Sequence, residues 1–137
     1  MKIIICASIS AAEEIFKARN TLISEGHEVI IPEGMENGDL RKRNEVSISE
    51  KTNDKIKYDL IRGYYEKIKK CDAILVVNPE KKGVVGYIGG NTFLEMGFGF
   101  VLNKKLFCLY GVPEMTYTPE ILAMQPVILD GNINLLK

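Results

Sequence analysis

Short apolar runs alternate along the chain with longer stretches in which apolar residues recur every three or four positions. Lys2 to Ala7 (KIIICA) is rich in β-branched residues, the pattern of a strand buried on both faces of a parallel sheet. From Ala11 to Ser24 the apolar positions Ile15, Ala18, Leu22 and Ile23 fall at helical spacing, and Gly26 stops the helix. His27 to Ile31 reads as a second strand, ended by Pro32. Glu33 to Glu50 is polar, carries Gly34, Gly38 and the basic cluster Arg41, Lys42, Arg43, and reads as a long loop or short helix over the surface. A second amphipathic helix is predicted from Asn53 to Lys70, with Ile56, Leu60, Ile61, Tyr64 and Ile68 on one face. The remaining pattern predicts strands at Ala73–Val77, Leu106–Tyr110 and Val127–Leu129, and helices at Thr92–Leu102 and Pro119–Met124.

Strands that alternate with helices form a parallel sheet with right-handed crossovers. The expected fold is α/β and doubly wound (flavodoxin-like), with five strands in the order 2-1-3-4-5 and helices on both faces. One domain is expected to take up residues 1–137, since no repeat or linker divides the chain. Ligands of such sheets bind beyond the carboxyl ends of the strands, where the order reverses. Here that place lies between strands one and three, under the loops Ser8-Ile9-Ser10-Ala11 and Asn78 to Asn91.

Composition narrows the function classes. Hydrophobic residues make up 46% of 137, enough for a real core. Lys plus Arg and Asp plus Glu number 18 each, so the basic surface that nucleic-acid binding needs is not expected. No run nears the roughly 20 apolar residues that cross a bilayer. The run Ile3 to Ala7 is too short for a signal-peptide core, so a cytoplasmic location away from membranes is expected. Cys6, Cys71 and Cys108 are read as reduced, buried thiols.

Gly86-Tyr-Ile-Gly89-Gly90-Asn91-Thr92-Phe-Leu-Glu95-Met-Gly97 is the densest chemical signal. Gly89 and Gly90 allow positive φ and close approach of a ligand to backbone. The amide groups of Gly89, Gly90 and Asn91 at a helix start suit a phosphate or sugar oxygen. Glu95 falls on the first turn, where the dipole favours its ionised form. Beside a sugar's anomeric carbon, such a carboxylate acts as a nucleophile. The competing reading is a capping box, Thr92-Phe-Leu-Glu95, in which the glutamate only bonds back to the helix start. Ser8 and Ser10 either bind sugar or phosphate, or cap the first helix. Asn78, at the end of the third strand, is a further polar candidate. There is neither a Walker motif nor a dinucleotide fingerprint after the first strand.

Asp72-Ala-Ile-Leu-Val-Val-Asn78, the glycine turn and Glu95-Met-Gly97 together resemble the nucleoside 2-deoxyribosyltransferase-like superfamily. Cys6-Ala-Ser-Ile-Ser-Ala-Ala12 is similar to the first loop of its 2′-deoxynucleoside 5′-phosphate N-hydrolase branch. The resemblance implies cleavage or transfer at the N-glycosidic bond of a deoxynucleoside or its monophosphate. It makes Glu95 the catalytic nucleophile and has the first-strand loop, here Ser8, Ile9, Ser10 and Ala11, help hold sugar or phosphate; Asn78 and the Gly89, Gly90 and Asn91 amides, read from their own chemistry, complete the expected substrate-binding set. It implies no metal and no organic cofactor. It also implies a homodimer or larger homo-oligomer, with Thr118 to Gln125 reaching a neighbour's pocket. Family members carry an acidic residue eight positions ahead of the Asp72 match, and here that position is Tyr64. A non-catalytic nucleotide-binding or sensing module on the same fold is the alternative.

Overall fold

The computed structural model describes residues 1–35, 52, 53, 56 and 59–137. The basic cluster Arg41, Lys42, Arg43 and most of the polar stretch around it lie outside the described residues. Among the described residues, five strands form one sheet: β1 (Lys2–Cys6), β2 (Glu28–Ile30), β3 (Ala73–Val76), β4 (Lys105–Cys108) and β5 (Val127–Ile128). Their order is β2-β1-β3-β4-β5 and all neighbours are parallel, as the alternating pattern predicts. The helices α1 (Ala12–Ser24), α2 (Leu60–Lys69), α3 (Gly90–Val101) and α4 (Thr118–Ala123) connect or flank them.

The period of two along each strand divides the core into two layers. Ile3, Ile5, Ala73, Leu75 and Phe107 face α1, meeting Ile15, Ala18 and Leu22. Ile4, Cys6, Ile74, Val76 and Cys108 face the opposite way, meeting Tyr64 and Ile68 of α2, Met96 of α3 and Ile121 of α4. Because β1 is covered on both sides, Ile3, Ile4 and Ile5 are all fully buried. Each such side chain contributes about 1.5–3 kcal/mol relative to exposure. That double burial is why the strand reads as an unbroken apolar run.

Two helix starts differ from expectation by more than one residue. The second helix, expected from Asn53, has its described continuous run from Leu60, because Asp59 sits in the left-handed region at φ +48°. An L-residue there interrupts α-helical geometry, and aspartate is among the few that tolerate it. Of the expected core face, Tyr64 and Ile68 are buried, whereas Ile61 and Ile56 are exposed. The third helix begins two residues early, at Gly90, with Gly89 as its N-cap. Thr92 is therefore the third residue of the helix and Glu95 the sixth, so the capping box does not form and Glu95 lies on the second turn.

The loop from β3 to α3 is tied down by Asn78, which is 1% exposed. Its Nδ2 lies 3.2 Å from each of the carbonyl oxygens of Gly86, Tyr110 and Gly111, and its Oδ1 accepts from the Tyr110 amide at 2.9 Å. Gly86 has φ +73°, and a Cβ there would stand 2.2 Å from the Gly111 carbonyl oxygen. Glycine is thus required at position 86. Gly89, by contrast, has φ −76°, so the expected left-handed freedom is not used there.

Candidate functional site

The carboxyl ends of β1 and β3 leave an open cavity of about 250 Å³ at the point where the strand order reverses. The segment after β1 supplies Ser8, Ser10 and Ala11 to its wall. The segment after β3 supplies Val77, Pro79, Glu80 and Lys81, and the approach to α3 supplies Tyr87, Gly89 and Thr92. The cavity exists because the segments following β1 and β3 diverge there to opposite sides of the sheet.

Ser8 does not cap the turn that follows it, nor does Ala11 supply a side-chain cap to α1. The Ser8 hydroxyl instead accepts from Lys81 Nζ at 3.0 Å and shares a 2.8 Å hydrogen bond with the Ser10 hydroxyl. The capping role is therefore not taken, and both serines line the cavity. Lys81 Nζ also stands 5.5 Å from the centroid of the Tyr87 ring, in cation–π range.

Lys81 is not singled out by the sequence, and Tyr87 and Thr92 enter there only as members of the glycine turn and the capping box. The signal for Lys81 is its place in the loop at the predicted reversal point. A lysine next to another lysine and a glycine reads more readily as solvated turn.

Glu95 is 7% exposed and does not line the cavity. It stands three residues beyond Thr92, one helical turn further along α3. There it meets Cys6, whose thiol donates to the Glu95 carboxylate. Burial pushes the Cys6 thiol well above its ordinary pKa, and the charge and hydrogen bond of Glu95 push it further. Cys6 is therefore a protonated donor to Glu95, not a nucleophile. Tyr64 belongs to the same buried cluster: its hydroxyl donates to the Ile5 carbonyl. Burial raises its pKa well above the usual phenol value, with Cys6 and then Glu95 adding to the effect.

Other expected contacts fall elsewhere. Asn78 spends its amide on the backbone of two loops, which it organises, and it is not part of the cavity wall. Ile9 packs against the α1-side core. Gly89 lines the cavity, whereas Gly90 and Asn91 are exposed on the first turn outside its wall. Ile121, within the segment expected to reach a neighbour, is fully buried in its own chain. All three cysteines are buried free thiols. Among the described residues, no group of three or more His, Cys, Asp or Glu is placed to hold a metal ion. Nor is any helix among them long and apolar enough to cross a membrane.

No protein-family model matches the chain, and no curated protein matches its sequence. Among solved structures it is similar to the 2-deoxyribosyltransferase of the psychrotolerant bacterium Bacillus psychrosaccharolyticus. That likeness has a TM-score of 0.55 at 20% identity and covers 80% of this chain and 72% of that one. It is also similar to the CMP N-glycosidase BcmB of Clostridium botulinum, with a TM-score of 0.47 at 20% identity over 93% of this chain and 85% of that one. At such identity the first likeness establishes a shared fold, and the second is too distant to add to it. The fold expected from the sequence resemblance is the fold observed.

Proposed function

We propose that the chain is an enzyme of N-glycosidic bond chemistry, cleaving or transferring at the bond between sugar and base of a (deoxy)nucleoside or its monophosphate, with Glu95 as nucleophile. The observation that carries this reading is the open cavity between the β1 and β3 loops and the first turn of α3. It lies on a fold shared with a 2-deoxyribosyltransferase. Hydroxyls of Ser8 and Ser10 and the backbone at Gly89 offer polar contacts to a sugar or phosphate. Glu95 stands one turn behind the wall residue Thr92.

In the proposed reaction the Glu95 carboxylate attacks C1′, the C1′–N bond breaks, and its electron pair leaves with the base. Water or a second base then attacks C1′ of the glycosyl ester and restores the carboxylate, with net retention. Cys6 holds the carboxylate by donating its S–H. Tyr64, which stands where the resemblance has an acid, directs its O–H in a hydrogen bond to the Ile5 carbonyl instead. In this scheme the departing base takes a proton from water, which costs roughly 10²–10⁴-fold in rate against a positioned acid. The same reading extends to a homodimer or larger assembly acting on small-molecule substrates in the cytoplasm, without metal or organic cofactor.

The test is base release from a panel of deoxynucleosides and their monophosphates, followed by chromatography. Glu95→Gln and Glu95→Ala are expected to lose turnover by roughly 10³-fold or more. Undiminished turnover in both variants eliminates the glutamate mechanism.

A second reading, a nucleotide-binding or sensing module without catalysis, is favoured by one observation. Glu95 is buried against Cys6 and does not line the cavity. Calorimetric binding of a nucleotide without any released base decides for it.

A further inference from the structure

We infer that Tyr110 is a positioning residue for the cavity: from outside, it fixes the wall that follows β1 against the wall that follows β3, and so sets how firmly a ligand between them is held. The inference takes its ligand from the nucleoside reading above. Tyr110 follows β4 and does not line the cavity. Its hydroxyl donates to Glu14 Oε2 at 2.8 Å, across 96 positions of chain. Its backbone meets the side chain of Asn78 at two points. The Tyr110 amide donates to Oδ1 at 2.9 Å, and its carbonyl accepts from Nδ2 at 3.2 Å. The same Nδ2 reaches the Gly86 carbonyl at 3.2 Å. Asn78 and Gly86 bracket the part of the β3 loop that carries Glu80 and Lys81, and Tyr87 follows directly. The backbone of Tyr110 thus belongs to the frame of the β3 wall, and its hydroxyl is the link to the other wall.

Glu14 receives that link on the β1 side. It is the third residue of α1, and the turn Ile9–Ala11 runs into α1 without a break. The Ala11 amide donates to the Ser8 carbonyl at 2.9 Å. A tether at Glu14 therefore restrains Ser8 and Ser10, which line the cavity. The bond itself is of the stronger kind, because a carboxylate accepts it between two half-buried side chains. The bond to Glu14, and then burial, raise the pKa of the Tyr110 phenol, so it keeps the proton it donates. The Tyr110 ring rests against the turn after β5, where a Cβ on Gly131 would stand 3.4 Å from Cε1. Glu95 lies outside this frame. It is held by Cys6, whose side chain belongs to the core layer on the opposite face of the sheet from the layer that Tyr110 packs on. Loss of the link therefore falls on ligand binding, which must then order a loosened wall, and not on the chemical step.

The experiment compares wild type with Tyr110→Phe, Glu14→Ala, Glu14→Gln and the double variant Tyr110→Phe/Glu14→Ala. Hydrogen–deuterium exchange of the ligand-free chain reads the two walls directly. Tyr110→Phe keeps the backbone contacts with Asn78, so exchange is expected to rise in residues 8–14 and to stay as in wild type in residues 78–89. Calorimetry and base release with the common deoxynucleosides and their 5′-monophosphates read the ligand. For a compound that binds, Tyr110→Phe and Glu14→Ala are each expected to raise Kd, and KM where base is released, roughly 3- to 10-fold, with kcat changed less than about twofold. The double variant is expected to be no weaker than either single one, because both remove the same bond. Glu14→Gln keeps an acceptor and is expected to stay near wild type. Unchanged exchange in residues 8–14, an equal rise in residues 78–89, losses that multiply in the double variant, or an unmoved Kd overturns the inference. So does a loss that appears in kcat and not in KM. Without measurable binding of any compound the nucleoside reading falls, and exchange of the free chain alone decides on Tyr110.

Discussion

Cys108 ends β4 inside the layer under α2 to α4, and burial alone pushes its thiol from 9.0 to about 12. A group that holds its proton more tightly when folded stabilises the fold below its unfolded pKa, and loses that contribution as pH rises through the folded value. For Cys108 the window runs from about pH 9 to about 12. Within it the slope is at most about 1.4 kcal/mol per pH unit for one group. Cys6 and Tyr64 are shifted in the same direction, so the chain is expected to soften on the alkaline side. Urea unfolding of wild type and Cys108→Ala at pH 8, 9.5 and 10.5 checks this. The variant starts less stable, and the gap narrows as pH rises; a constant gap contradicts the assignment. The buried character of these thiols was legible in the sequence, because each lies in or beside an apolar run. The meeting of Cys6, Tyr64 and Glu95 was not, since they come from β1, α2 and α3 and only packing brings them together.

The loop between β3 and α3 is the element on which the cavity depends. It uses glycine in two different ways that one pair of substitutions separates. Gly83 has φ +77° and open space where a Cβ would project, whereas Gly86 has φ +73° and would set its Cβ 2.2 Å from the Gly111 carbonyl oxygen. Gly83→Ala is expected to cost only the left-handed penalty, about 1–2 kcal/mol. Gly86→Ala adds displacement of backbone and of the Asn78 contacts, for a total of about 3–5 kcal/mol. Urea midpoints of the two variants measure the difference, and equal losses would show that the contact with Gly111 relaxes freely. The glycine-rich stretch announced a special turn in the sequence, but placed its strain at Gly89 and Gly90. The strain belongs to Gly86, because the neighbour that crowds it arrives from the end of β4. The start of α3 was missed for a related reason: Gly89 caps the helix through its backbone conformation, with no side chain to mark it.

At the scale of the whole molecule, a ligand that bridges the β1 and β3 loops ties together the two central neighbours of the sheet. It binds the folded chain and not the unfolded one, so it stabilises by mass action. At one hundred times its dissociation constant the gain is about 2.7 kcal/mol. For a chain of this length that corresponds to roughly 9 °C in melting temperature. Thermal melts with saturating deoxynucleotide are expected to show such a rise in one cooperative transition. No shift with any nucleoside or nucleotide would argue against the cavity as their site.

Apolar periodicity determined the strand order and the location of the cavity, because parallel strands buried on both faces and right-handed crossovers leave few topologies for five βα units. It also nominated Ser8, Ser10 and Gly89, which line that cavity. Tertiary structure decided which side chains share a wall: it brought Lys81 to Ser8 across 73 positions of chain and turned Asn78 to the backbone. It also set Glu95 against Cys6, a turn away from Thr92. Periodicity reports which face of an element is buried, and it carries no information about which distant residue waits on that face.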